Sequence, residues 1–246
     1  MPDIEVTLRR EAARLAAEAC GRQPAPRVLE AGCGARSHVD LPPGARVVGV
    51  DRSRAQLRRN DGIAARVEGD VTQLPLASAS VDVVVSWDVL EHVDDPAQAL
   101  TEYRRVLRQH GIIVLGLPHV LSLKGLLTRL TPWPVHVWVY RRVLGDPTAG
   151  TDASDQFPTT MRLRLRPAGL RRLARSLGLE VRLLEAYEGP VPRHFRRRHP
   201  LGGRVLQALG VLSRLATLGR YDATASDLVV VLQARGERDA TGARQP

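Results

Sequence analysis

Lysine is almost absent from this chain: of its 36 basic residues only Lys124 is not an arginine. Against 26 acidic residues this leaves a formal charge of +10, which ordinarily raises nucleic acid or an anionic membrane as a partner. Here the arginines accompany abundant Ala, Leu, Val, Gly and Pro, the pattern of a coding bias rather than of a basic face, and a nucleic-acid partner is not expected. Cysteine is scarce as well. Cys20 and Cys33 make no disulfide framework and have no metal-site spacing, so a reducing cytoplasm is expected. The seven histidines are scattered, without a His-Glu-x-x-His pair, and no catalytic metal is expected. Nowhere do eighteen apolar residues run uninterrupted, so a membrane-spanning helix is not predicted. Asp3, Glu5 and Glu11 occupy the region where a signal peptide would need its apolar core. A Walker loop and a nucleophile elbow are also missing.

What the chain does have is a stretch from Arg27 to Arg36, Arg-Val-Leu-Glu-Ala-Gly-Cys-Gly-Ala-Arg. It reads as a buried strand ending at a carboxylate, Glu30, and passing into a tight turn at Gly32 and Gly34, where a ligand can approach the main chain. A dinucleotide needs Gly-x-Gly-x-x-Gly opening directly into a helix. Ser37 stands at the third glycine position, and Pro42 and Pro43 leave room only for a stub of helix. Glu30 would repel a pyrophosphate but favour the sulfonium and ammonium of S-adenosylmethionine. The next strand, Ala45 to Val50, ends at Asp51, placed to accept from ribose hydroxyls. A third run, Ala64 to Glu68, leads to Gly69-Asp70-Val71, a second acid at a strand end and within reach of an adenine amine. The fourth strand, Val81 to Ser86, is a β-branched run of the kind buried on both faces, and it opens into Trp87-Asp88-Val89-Leu90-Glu91-His92.

On Val28-Leu-Glu-Ala-Gly-Cys-Gly34, Val48-Gly-Val-Asp-Arg-Ser53, Gly69-Asp70 and Ser86-Trp-Asp-Val-Leu-Glu-His-Val-Asp-Asp-Pro96, the chain resembles the class I S-adenosylmethionine-dependent methyltransferases, on the side of the ubiquinone and menaquinone methyltransferases. The resemblance covers Val28 to Leu117 closely and departs at Arg36, where many members carry a third glycine or a small residue. It implies an α/β, Rossmann-like seven-stranded sheet, parallel except for the last strand, with helices on both faces and a lid inserted after the fifth strand. It implies S-adenosylmethionine as cofactor, with the methionine end held by Gly32, Cys33 and Gly34 on a turn ordered by Glu30. Asp51 falls at the ribose, Arg52 beside it among the cofactor-binding residues, Asp70 and Val71 at the adenine, Trp87 along the adenosine, and His92 toward the acceptor as the first candidate base. His119 and His136 are weaker candidates.

Ile4 to Cys20 has helical spacing and is expected to cover the sheet or the cleft. Residues 1–235 are expected to form one methyltransferase domain, with 118–165, which carries Trp133, Trp138, Tyr140 and Phe157, as the acceptor lid. Arg193 to His199 reads as a solvated basic loop before a last sheet-covering helix, Leu201 to Leu218, and the alternative for 193–218 is peripheral contact with an anionic membrane. Residues 236–246 read as a disordered tail. The activity expected is methylation of a small organic acceptor, most simply at oxygen. The rival readings are a nicotinamide oxidoreductase, an RNA or membrane-lipid methyltransferase, and a binding-only relative.

Overall fold

The computed structural model describes residues 4–21, 25–37, 44–63, 65–151, 159 and 161–236. In chain order these form α1 (Ile4–Cys20), β1 (Arg27–Ala31), β2 (Arg46–Asp51), α2 (Arg54–Arg59), β3 (Ala65–Glu68), β4 (Val81–Trp87), α3 (Pro96–Val106) and β5 (Leu107–Pro118). Then come α4 (Leu123–Leu130), α5 (Trp133–Val139), α6 (Pro167–Ser176), β6 (Leu179–Tyr187), α7 (Pro190–Arg198), α8 (Pro200–Ala216) and β7 (Asp227–Ala234). They divide into two units, one of Met1–Leu117, Pro167–Glu185 and Val229–Pro246, the other of Pro118–Arg166 and Ala186–Leu228.

The first unit is built on the sheet, whose strand order is β3-β2-β1-β4-β5-β7-β6. The neighbours from β3 to β5 pair in parallel. β7 runs the other way. Gln233 near its end donates to the His110 carbonyl at the start of β5 (3.0 Å), and the Arg235 N–H reaches the carbonyl of Gly178, just before β6 (3.4 Å). The expected parallel sheet with a reversed last strand is therefore present. All seven residues of β4 are buried, as a two-sided apolar strand requires. β5 begins earlier than the apolar run from Ile112 indicates. Val81 pairs with Leu107 and Val83 with Ile112, so the strand bulges between them, with His110 at φ +61°. The helix starts follow their caps: Ser53 Oγ accepts from Gln56 N–H ahead of α2, and Asp95 from Ala97 and Gln98 ahead of α3. α1 buries Leu8, Ala12, Leu15, Ala16 and Cys20, and carries Arg9 over the Trp87 ring, 4.4 Å from its centroid.

The second unit is helical and larger than the 118–165 insert expected from the sequence, because 186–228 belongs to it. The basic stretch is no loop: Pro190 opens α7 in its first turn, where the missing N–H costs nothing. The Gly189 N–H is held by Ser226 Oγ at 2.9 Å. Nor is the following helix a buried cover. α8 buries only Gly203 and Gly210, while Leu201, Leu212 and Leu215 stay more than 60% exposed. Among the described residues no helix is long and apolar enough to cross a membrane. The Pro42-Pro43 break, Phe157 and the tail from 237 lie outside the described residues.

Candidate cofactor site and active site

At the carboxyl end of β1 the chain turns through two left-handed glycines, Gly32 at φ +72° and Gly34 at φ +51°. The turn is pinned beneath by the Val50 carbonyl, which accepts from Gly32 N–H (2.7 Å) and Cys33 N–H (3.3 Å). A Cβ on Gly32 would overlap the methyls of Val89, whereas one on Gly34 would meet nothing within 4 Å. The main chain at Gly34 thus faces open space, which is what close approach of a ligand needs. The Cys33 side chain points the other way, 1% exposed and packed with Leu57 and Ile63, and it needs Gly49, where a Cβ would stand 2.7 Å from the sulfur. Cys33 therefore offers a ligand only its main chain. Burial pushes its thiol up to about 12, helped by the negative charges of Asp51 and Glu30.

The carboxylates converge on this turn through the strand register. Asp51 closes β2, and its two oxygens accept from Gly34 N–H (2.9 Å) and Ser53 N–H (2.7 Å). A carboxylate has about four acceptor positions, so two remain for hydroxyl donors. The Asp51 carbonyl accepts from Gly69 N–H (3.0 Å), which ties the end of β3 to the end of β2. Asp70 follows. Its Oδ1 takes both the N–H and the hydroxyl of Thr72 (2.8 and 2.7 Å), while Oδ2 faces Arg52 at 3.8 Å. The Thr72 hydrogen bonds, with help from Arg52, hold its pKa below the ordinary 3.8. Val71 beside it is buried. Glu30, 3% exposed, lies within β1 opposite Gly49 and Val85 and accepts from Ser37 Oγ at 2.6 Å. Sequence reasoning missed one positioning residue: Asn60, fully buried, donates from Nδ2 to the carbonyls of Cys33 and Gly34, both at 3.2 Å. Its only visible sign was a polar residue closing a short helix.

The end of β4 holds the other expected residues. Trp87 is 6% exposed, with Arg9 over its ring and the indole seated where a Gly116 side chain would be. It is a packed wall of the first unit, with one face already occupied by a guanidinium. Asp88 follows at φ +54°, a left-handed conformation that is uncommon for a residue with a side chain and costs about 1–3 kcal/mol. Its N–H donates to the Gly116 carbonyl at 2.9 Å. His92 ends the 3-10 turn Leu90–His92 and is half-buried. The two weaker histidines belong to the second unit. His119 is buried, with Nδ1 3.0 Å from the Ala225 carbonyl, and burial lowers its pKa from 6.5. It is committed to structure. His136 sits 2.6 Å from Thr131 Oγ1 and lines a cavity of that unit.

The donor set fits one kind of ligand: an open main-chain turn surrounded by carboxylates suits a cationic nucleoside and opposes a pyrophosphate. Residues 29–115, which contain Glu30, the glycine turn, Asp51, Asp70 and His92, match the family model described as a methyltransferase domain. They form a class I S-adenosylmethionine-dependent methyltransferase domain. A probable S-adenosylmethionine-dependent methyltransferase of Mycolicibacterium smegmatis is 39% identical over 126 residues, 49% of this chain and 48% of that protein. A demethylmenaquinone methyltransferase of Renibacterium salmoninarum is 37% identical over 109 residues, 42% of this chain and 46% of its own. A malonyl-(acyl-carrier protein) O-methyltransferase of Dechloromonas aromatica is 38% identical over 93 residues, 36% of this chain and 35% of its own. The chain thus spans about half or less of the length of these curated relatives. Among solved structures, a methyltransferase of Archaeoglobus fulgidus superposes with TM-score 0.53 at 16% identity, covering 94% of this chain and 92% of that one. This last likeness bears on the fold alone. In the methyltransferase domain the family's methyl donor is S-adenosylmethionine, and the acid-rimmed turn is where the residues suit it.

Proposed function

We propose that the chain transfers the methyl group of S-adenosylmethionine to a small organic acceptor, at oxygen. The observation that carries this reading is the left-handed turn at Gly34, open to a ligand and held by Asp51. When bound there, S-adenosylmethionine supplies a methyl group already activated by its sulfonium. The residues need mainly to position, to neutralise positive charge and to exclude water. Glu30 and Asp51 give the turn a negative field, Asp51 offers two free acceptor positions to a ribose, and Asp70 Oδ2 offers one to an exocyclic amine. His92 is the candidate to hold a proton from an acceptor hydroxyl, a task open to an imidazole because its unperturbed pKa lies near neutrality. Oxygen as the acceptor atom finds support in the malonyl-(acyl-carrier protein) O-methyltransferase relative.

A radiolabelled methyl-transfer screen over small carboxylic acids and phenols tests the reading. Turnover that Asp51→Asn suppresses at least tenfold supports it, since a hydrogen bond to a charged group contributes about 1.5–3 kcal/mol. Thermal stabilisation by S-adenosylhomocysteine without turnover on any acceptor favours a binding-only relative instead.

A second reading is favoured by the surface of α8. Leu212 and Leu215 on α8 and Leu218 just past its end are 61%, 70% and 87% exposed, and Arg197, Arg198 and Arg204 are exposed on α7 and α8. That combination suits a substrate met at an anionic membrane surface. Flotation with phosphatidylglycerol vesicles, lost at high salt and absent with phosphatidylcholine, is the expected result. Equal recovery with both lipids or with neither contradicts it.

A further inference from the structure

The second unit carries a half-open cavity of about 350 Å³ whose lining includes none of the residues of the cofactor site. Its walls are Leu127 from α4, Val135 and Val139 from α5, Val191 and Phe195 from α7, and Leu206 from α8. A half-open, mostly apolar cleft of this size falls within the range of small-molecule sites, about 300–1,000 Å³.

The ionisable side chains at its edge already have partners. Lys124 Nζ is 3.2 Å from Asp227 Oδ1, Glu188 Oε2 is 2.8 Å from Arg196 Nη2, and His136 Nε2 is 2.6 Å from Thr131 Oγ1. A charged ligand group would gain little there and would lose its hydration. The mouth is apolar too, since Leu127 and Val135 line the cavity and are 55% and 42% exposed. One wall departs from regular helix geometry: α5 widens into a π-turn, Tyr140–Leu144, which supplies Tyr140, Val143 and Leu144 to the lining. Such turns persist at a cost in hydrogen-bond geometry and recur at functional sites.

We propose that this cavity binds the hydrocarbon chain of a neutral amphiphile. If a methylene takes about the volume of a water molecule in the liquid, roughly 30 Å³, the space holds on the order of ten carbons. As the tail of a methyl acceptor, this chain rests on the function proposed above. As a binding site it stands on the second unit alone.

Displacement of N-phenyl-1-naphthylamine, a neutral apolar fluorophore, by straight-chain alcohols from butanol to tetradecanol, in 0.5 M NaCl to silence the arginines, reads the site without turnover. Affinity should rise roughly fourfold for each added methylene, the equivalent of about 0.8 kcal/mol, and level off near about ten carbons. Decanol against geraniol, each of ten carbons, separates a linear from an isoprenoid chain by whichever displaces the probe at lower concentration. Val139→Trp should weaken decanol at least tenfold while thermal stabilisation by S-adenosylhomocysteine is unchanged. Leu206→Glu, on a half-exposed helix face, repeats the test if the larger residue disturbs folding. Affinity independent of chain length, or both variants binding like the parent, overturns the proposal and leaves the cofactor reading standing. Loss of the S-adenosylhomocysteine response in the parent with chain binding intact overturns the cofactor reading and leaves this site standing.

Discussion

Single side chains in the cofactor site have separable duties. Cys33, between two glycines, is expected from the sequence to help hold the methionine end of the cofactor. Its thiol is buried and raised to about 12, so at pH 8 it is a protonated packing group. Both cysteines are buried, and neither should react with a thiol-disulfide reagent until denaturant is added. Rapid reaction of one equivalent in the native protein would show an open turn floor. Asp70 makes a pH prediction. Its folded pKa is held below 3.8, so its contribution to stability is fully present above about 3.8 and is lost as pH falls through the depressed value. Thr72→Val removes the first cause of that depression. Carbon NMR of the aspartate carboxyls should then show the Asp70 midpoint moving upward toward 3.8, and an unmoved midpoint would place the cause elsewhere. His92 is tested by His92→Ala. Loss of a proton acceptor lowers kcat by roughly 10²–10⁴ with the cofactor affinity unchanged, whereas a positioning role changes both.

Turns and strands carry the next level. Gly32 and Gly34 share a left-handed backbone but face different neighbours, and alanine substitutions separate fold from ligand. Gly34→Ala should cost about 1–2 kcal/mol in urea unfolding, the strain of the conformation alone, yet abolish cofactor binding by filling the space at the turn. Gly32→Ala should cost about 1–3 kcal/mol more, because its methyl overlaps Val89. Equal unfolding midpoints for the two would contradict this placement. Asn60→Ala removes the donor to the Cys33 and Gly34 carbonyls and should cost about 1–3 kcal/mol. The central parallel strands were legible because β4 and the run from Ile112 are nearly continuous in apolar, largely β-branched residues, and the acids closing β2 and following β3 stand out at strand ends. The tie from Asn60 was not, because it spans 27 residues and a lone asparagine at a helix end has a local explanation. The helix from Pro190 was hidden for a related reason: arginine-rich stretches read as solvated loop, and proline reads as a break unless its place in the first turn is known.

For the whole molecule, charge and connectivity matter more than any single contact. The net charge of +10 is the excess of arginine that remains after pairings such as Arg105 with Glu102, Arg108 with Asp82 and Arg196 with Glu188. Such pairing fits the compositional reading of the arginines, while Glu30, Asp51 and Asp70 fall at or near the ends of β1, β2 and β3. The second unit was only half legible. Its first excursion announced itself by aromatic residues after β5, while 186–228 joins it by contacts that no sequence period reveals. Isothermal titration calorimetry of S-adenosylhomocysteine, with NADH as competitor and Asp51→Asn in parallel, tests the acid-rimmed turn most directly. Saturable binding at one site, untouched by NADH and weakened at least tenfold in the variant, is the predicted result. Absence of heat with the parent, displacement by NADH, or equal affinity in the variant would contradict it.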